Sequence, residues 1–269
     1  MQINWLHLTD LHRGMKRQDW LWQNVRERLL EDLDYLHPKS GPWDLLFFTG
    51  DLTDRGTKAQ FDQADVLLGK LLDWIAERQG GQRPALLAVP GNHDLQRPKE
   101  SNEGLRYLKG WSSTPDTRET FWDKPSSAVR RTVSKAFAPY AAWWGRQDVP
   151  LGRSAGVRDY KPGLLPGDFS ATIERDGCSV GILGLNTAFL QLTGGDYEGS
   201  LALHTKQFHA ACAGDGPAWA KRHNACLLMT HHPPVWLDAD SRQHLDGEIA
   251  NAGRFAVYLC GHLHEPRRV

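Results

Sequence analysis

The stretch Thr49-Gly50-Asp51-Leu52-Thr53-Asp54-Arg55-Gly56, entered directly from Leu45-Leu46-Phe47-Phe48, constrains the fold more than any other part of the chain. A short apolar run bounded by turn residues reads as a buried parallel strand. Asp51 then sits just past the strand's carboxyl end, where ligands bind in open α/β sheets. Taken alone, a Gly-Asp is usually a turn whose carboxylate bonds its own backbone. Four further segments repeat the design, however. Residues 3–8 run into Thr9-Asp10-Leu11-His12, and Ala85-Leu86-Leu87-Ala88-Val89 into Pro90-Gly91-Asn92-His93-Asp94. Ala225-Cys226-Leu227-Leu228-Met229 runs into Thr230-His231-His232, and Phe255 to Cys260 into Gly261-His262-Leu263-His264. Five polar clusters, each at a strand end, are not accounted for by chance turns.

The segments between them alternate in the manner of βαβ units. Residues 18–36 carry a helical apolar stripe of Trp20, Leu21, Val25, Leu29, Leu30, Leu33 and Leu36, with Asp19 as a candidate N-cap. Thr57 to Gln79 forms a second amphipathic helix, closed by Gly80-Gly81. Two such units argue for a parallel sheet. Phe169–Glu174 and Ser179–Leu185 flank Asp176-Gly177, a strong hairpin signal, so the second half includes antiparallel pairing. His204 to Ala213 is expected to be helical. Residues 95–165 break the rhythm with six prolines and no clean strand, and read as an insertion. Within it Val133 to Trp144 is a possible helix that Pro139 would kink or end.

Composition is that of an ordinary globular protein, 40% hydrophobic and 24% charged across 269 residues, which suits one α/β domain with an insertion. Lys plus Arg and Asp plus Glu are 32 each, so net charge gives no global argument for nucleic acid or an anionic membrane. The start of the chain reads as a strand rather than an export signal, and no run is long enough to span a bilayer. Cys178, Cys212, Cys226 and Cys260 lie singly, with no CxxC pair, and are expected to be reduced. A cytoplasmic location follows as an expectation.

Together the clusters offer Asp10, His12, Asp51, Asn92, His231, His262 and His264: carboxylates, an amide and imidazoles, with no thiolate. That set suits Mn, Fe or Zn. Seven ligands exceed one tetrahedral site but match two ions sharing a carboxylate, a pair that activates water and polarises a phosphoryl oxygen.

Asp10-x-His12, Gly50-Asp51-x-x-Asp54-Arg55-Gly56, Gly91-Asn92-His93-Asp94, His231 and Gly261-His262-x-His264 closely resemble the motifs of the calcineurin-like metallophosphoesterases, in the same order and over residues 10–264. The Gly50–Gly56 wording looks most like the branch with bacterial cyclic-nucleotide and glycerophosphodiester phosphodiesterases. The resemblance implies a four-layer α/β/β/α sandwich with two divalent ions at the strand ends. It implies that Asp10, His12 and His264 hold one ion, that Asn92, His231 and His262 hold the other, and that Asp51 bridges them. Choosing His231 over His232 rests on its place directly after the strand. His93 is the candidate general acid. Asp94 either orients His93 or caps the turn, and Arg55 either forks onto phosphate or pairs with Asp54. The implied activity is metal-dependent phosphoester hydrolysis, most plainly of a phosphodiester. A nuclease or a phosphomonoesterase is the alternative, and a scaffold that keeps the fold without catalysis would be expected to have lost ligands.

Two features depart from the minimal pattern. The family continues with further strands past the last motif, whereas this chain stops five residues after His264, so a C-terminal truncation is expected. The insertion is long, and carries thirteen basic against seven acidic residues together with nine aromatics. It is expected either to cap the site and select an anionic substrate, plausibly a nucleotide, or to bury those aromatics in a small core of its own.

Overall fold

The computed structural model describes residues 2–16, 19–154 and 156–264, with side chains of 19–24 left out. The expectations on Asp19, Trp20 and Leu21 side chains therefore lie outside the described residues. The first sheet consists of β1 (Trp5–Leu8), β2 (Leu45–Phe48) and β3 (Ala85–Ala88), parallel and in that order. All four residues of β2 are buried, as a strand flanked on both sides and covered on both faces demands. Helix α1 (Asp19–Ser40) joins β1 to β2, and α2 (Lys58–Arg78) joins β2 to β3. Thr57 caps α2 by accepting from Gln60 N at 3.3 Å. Phe61, Ala64, Leu68, Leu71, Leu72 and Ile75 form its buried stripe. Each large member contributes about 1.5–3 kcal/mol of burial.

The insertion is helical: α3 (Glu103–Lys109), α4 (Pro115–Asp123), α5 (Ala128–Ala136) and α6 (Ala138–Trp144). The single helix expected over Val133–Trp144 is two. The chain breaks at Phe137, and Pro139 lies in the first turn of α6, where its missing N–H costs nothing. The absence of a strand before residue 165 is also corrected. Here β4 (Val157–Pro162) pairs antiparallel with β5 (Phe169–Arg175), its proline at the strand's end on a sheet edge.

The second sheet continues with β6 (Cys178–Gly184), β7 (Ala225–Met229) and β8 (Val257–Leu259), in the order β4-β5-β6-β7-β8. The β5–β6 hairpin turns at Asp176 and Gly177, both at positive φ (52° and 73°), as a type I′ turn requires. From β6 onward the pairing is parallel. Helices α7 (Thr205–Ala211) and α8 (Gly216–Lys221) precede β7, and α9 (Ala239–His244) with a π-helical turn at Leu245–Ile249 precedes β8. No helix among the described residues is long and apolar enough to cross a membrane.

Bonds at the strand ends tie the sheets together. His231 Nδ1 donates to the Thr49 carbonyl at 2.7 Å, and His262 N donates to Asp10 Oδ2 at 3.1 Å. The carboxyl ends of β1, β2, β3, β7 and β8 thus meet at one place.

Candidate metal centre

The seven expected ligands arrive from these five strand ends. Asp51 Oδ2 lies 3.7 Å from His12 Nε2 and 3.3 Å from His231 Nε2, so it stands between two groups. In the first, Asp10 Oδ1 is 3.8 Å from His12 Nε2 and 3.3 Å from His264 Nε2, and those two nitrogens are 3.2 Å apart. In the second, His231 Nε2 is 3.1 Å from Asn92 Oδ1 and 3.2 Å from His262 Nδ1. Because His231 Nδ1 donates to Thr49 O, its Nε2 is left as the free donor of electrons toward the group. His232 is otherwise occupied: Nδ1 meets Thr187 Oγ1 at 3.0 Å and Nε2 meets Gln191 Oε1 at 2.9 Å.

The backbone is strained where it presents these side chains. Eight non-glycine residues have positive φ among the described residues, and Asp10, His12, Asp51, His262 and His264 are five of them. Each such conformation costs on the order of 1–3 kcal/mol and concentrates at functional sites. Gly50, at φ 96°, makes room for the approach: a Cβ there would lie 2.5 Å from His231 Nδ1 and 2.7 Å from Gly91 N.

The donor set fits divalent cations. Asp10 Oδ1 is buried and accepts no hydrogen bond among the described residues, although two imidazole nitrogens face it. Unsatisfied buried carboxylate oxygen and clustered imidazoles are what a cation between them would complete. The electrostatics point the same way. Burial pushes Asp51 up, but His231, by charge and hydrogen bond, pulls it below the usual carboxylate range. Burial pushes His231 down, and the Asp51 carboxylate more than reverses this, to about 9. A positive charge is favoured where the ligands converge. His262, by contrast, is lowered to about 4, by burial first and then by His231.

His93 stands at the rim of the cluster, with a ring nitrogen within 4.8 Å of ligand atoms of His12 and Asp51. Its N donates to Asp51 Oδ1 at 2.7 Å, its ring meets that of His12 edge-on at 4.6 Å, and its side chain is 31% exposed. Its Nδ1 donates to the Asp54 carbonyl oxygen at 2.9 Å, with Asp54 Oδ1 3.9 Å away. Asp94 faces elsewhere. It is wholly buried and accepts from Gly91 N, Leu52 N, Thr53 N and Thr53 Oγ1, so it ties the β2 and β3 turns together. Burial, then the Asp51 charge, pushes Asp94 up to about 6 against those donors. The residue that touches the His93 ring from behind is Asp54, which sequence reasoning considered only as a partner for Arg55. Its signal was present, as the acid three residues after Asp51 in the same turn. Arg55 Nε does donate to Asp54 Oδ2 at 3.1 Å, while its side chain remains 67% exposed. Thr187 and Gln191 had no signal in the sequence.

A solved Staphylococcus aureus protein, provisionally assigned as a 5′-nucleotidase and crystallised with alpha-ketoglutarate, is 11% identical, with 97% of this chain and 45% of that one covered at a TM-score of 0.37. This chain thus spans less than half of that protein's length, and so slight a likeness carries no argument. Curated proteins offer no match. The sequence model of the calcineurin-like phosphoesterases matches residues 3–266, and the chain belongs to that family.

Proposed function

We propose that this phosphoester hydrolase is a phosphodiesterase that works with two divalent cations, Mn, Fe or Zn, and takes a nucleotide-like substrate. Asp10, His12 and His264 would hold one cation, and Asn92, His231 and His262 the other. Asp51 would be shared, an assignment supported by the position of its Oδ2 between His12 and His231. When bound, such a pair supplies an activated water and polarises the phosphoryl oxygens.

The protein's own part is proton delivery and orientation. His93 is fixed at its main chain by Asp51 and at Nδ1 by the Asp54 carbonyl, which leaves Nε2 as the atom that gives a proton to the departing alkoxide. Its partial exposure beside a buried cluster is the observation that carries this role. Arg55 offers a guanidinium at the rim that can turn from Asp54 to a phosphate oxygen. The buried bonds of Asp94 hold the loops, and so the ligands, in register. The basic excess at 95–165, including exposed Arg97, Lys99, Arg106 and Lys135, favours an anionic substrate. The four thiols are free, as suits the cytoplasm.

The test is turnover with Mn(II) of bis-nitrophenyl phosphate, nitrophenyl phosphate, cyclic nucleotides and single-stranded DNA. A diester should be cleaved faster than the monoester, and Asp51→Asn should lose both bound Mn and turnover. Faster monoester cleavage makes the protein a phosphomonoesterase, and preferential cleavage of DNA makes it a nuclease. Full activity in the Asp51→Asn variant removes the shared-carboxylate assignment.

A further inference from the structure

His262 is held differently from His231 and His93, and His12 Nδ1 likewise has no hydrogen-bond partner among the described residues. His231 and His93 are each oriented by a hydrogen bond from Nδ1 to a main-chain carbonyl. That is the usual arrangement for a metal-binding histidine, whose second nitrogen is fixed by a carbonyl or carboxylate. The Nδ1 of His262 faces His231 Nε2, and no hydrogen bond among the described residues fixes its Nε2. Two rings that also meet each other, at 5.7 Å and 33°, form a corner against it instead. The Trp236 indole stands edge-on to it at 4.1 Å between centroids, with planes at 83°, and the His232 ring lies at 4.5 Å and 58°.

Both walls are themselves fixed. His232 is fully buried. Gln191 Oε1 can only accept, so His232 Nε2 carries the proton, and Nδ1 accepts from the Thr187 hydroxyl. Thr187 Oγ1 in turn accepts from His232 N at 3.0 Å. With both nitrogens committed, His232 is a wall and not a ligand. The loop that supplies Thr187 and Gln191 starts at Asn186, whose N donates to buried Asp168 Oδ1 at 2.7 Å. Trp236 sits in a 3-10 turn, Pro234–Trp236, pinned where Leu201 N donates to its carbonyl at 3.0 Å.

We infer that Trp236 and His232 are positioning residues for metal binding, a ring clamp of two adjoining walls that sets the orientation of His262 in place of a hydrogen-bonded acceptor. The inference rests on the reading of His262 as a metal ligand. Aromatic edge-to-face contacts are directional, and a ring pair at this spacing contributes beyond simple burial. Loss of the Trp236 wall frees rotation of the His262 ring, whereas the His232 wall also meets His231 edge-on at 4.7 Å.

The experiment is Mn(II) titration followed by electron paramagnetic resonance of the free ion, which reads binding without turnover. It compares the wild type with Trp236→Ala, Trp236→Phe and Gln191→Met, and the melting temperature of each without metal is measured alongside. Trp236→Ala and Gln191→Met should each weaken one class of Mn site, by roughly 10–100-fold. Trp236→Phe, which keeps a ring edge, should restore most of the affinity, and metal-free melting should change little. Wild-type affinity in both Trp236→Ala and Gln191→Met overturns the clamp while leaving the metal centre intact. So does weakened binding that Phe does not restore and that tracks a lowered metal-free melting temperature. Failure of the wild type to bind Mn removes the metal reading itself, and the clamp with it.

Discussion

At the scale of single residues, the centre is defined by side chains that the backbone presents at a conformational cost. Asp10, His12, Asp51, His262 and His264 all adopt left-handed φ values, which Asp and His tolerate better than most side chains but still at a cost. His93, like Asn92 and His231, lies outside the strained set, and what suggests its role is partial exposure with a fixed Nδ1. Replacing His93 with Ala should leave Mn binding intact and lower kcat by about 10²–10⁴ for an alkyl leaving group. The loss should shrink for nitrophenolate, which departs without a proton. Asp54→Asn should fall between wild type and His93→Ala, because the Asp54 main-chain carbonyl still holds Nδ1 while the nearby carboxylate charge is gone. Equal losses with both leaving groups would remove the proton-transfer role from His93.

At the scale of elements, the insertion gives the clearest contrast between expectation and packing. Its aromatics are not displayed to a substrate. Trp111, Phe121 and Trp122 pack with Phe189 of the loop after β6, Phe121 stacking on Phe189 at 5.0 Å and 14°. Trp143 of α6 stacks on Phe61 of α2 at 5.6 Å, and Tyr140 donates from its hydroxyl to the Ala88 carbonyl at 2.9 Å. Tyr107 is the exposed exception at 53%. Phe121→Ala should therefore cost about 3–5 kcal/mol, seen as a lowered melting temperature, with KM for small and nucleotide substrates alike unmoved. A rise in KM for the nucleotide alone would return the insertion to a substrate-selecting role. The strands that end in the polar clusters were legible in the sequence because fully apolar runs end abruptly at Gly, Asp, Asn and His, whereas β4, with its exposed charges, was not. Helices α3 and α4 were not, because they are short and their stabilising contacts come from aromatics far along the chain. The same distance hid the Thr187–His232–Gln191 bracket, in which His232 lies more than forty residues from each of the other two.

At the scale of the whole molecule, insertion, second sheet and centre are joined through Asp168. This buried carboxylate accepts from Leu165 N at 2.9 Å, Asn186 N at 2.7 Å and Gln207 Nε2 at 3.1 Å. Arg130 of α5 adds its charge nearby while donating to the Phe121 and Leu164 carbonyls. The node thus holds the loop that reaches His232 against the insertion's core. Burial pushes Asp168 up to about 7, and the backbone donors, Gln207 and Arg130 offset only part of that. A folded carboxyl at about 7 binds its proton more tightly than an unfolded one near 3.8. Its stabilising contribution is then complete below about 3.8 and is lost as pH rises through about 7. Asp168→Asn removes the titration, although the amide cannot accept at both positions and should lower stability at every pH. The stability advantage of wild type over Asp168→Asn should therefore be largest near pH 4 and shrink steadily toward pH 8, measured by urea denaturation at fixed Mn(II). An advantage that stays constant across this range would mean that the surrounding donors and Arg130 fully compensate the buried charge. The junction would then hold equally well on both sides of neutrality.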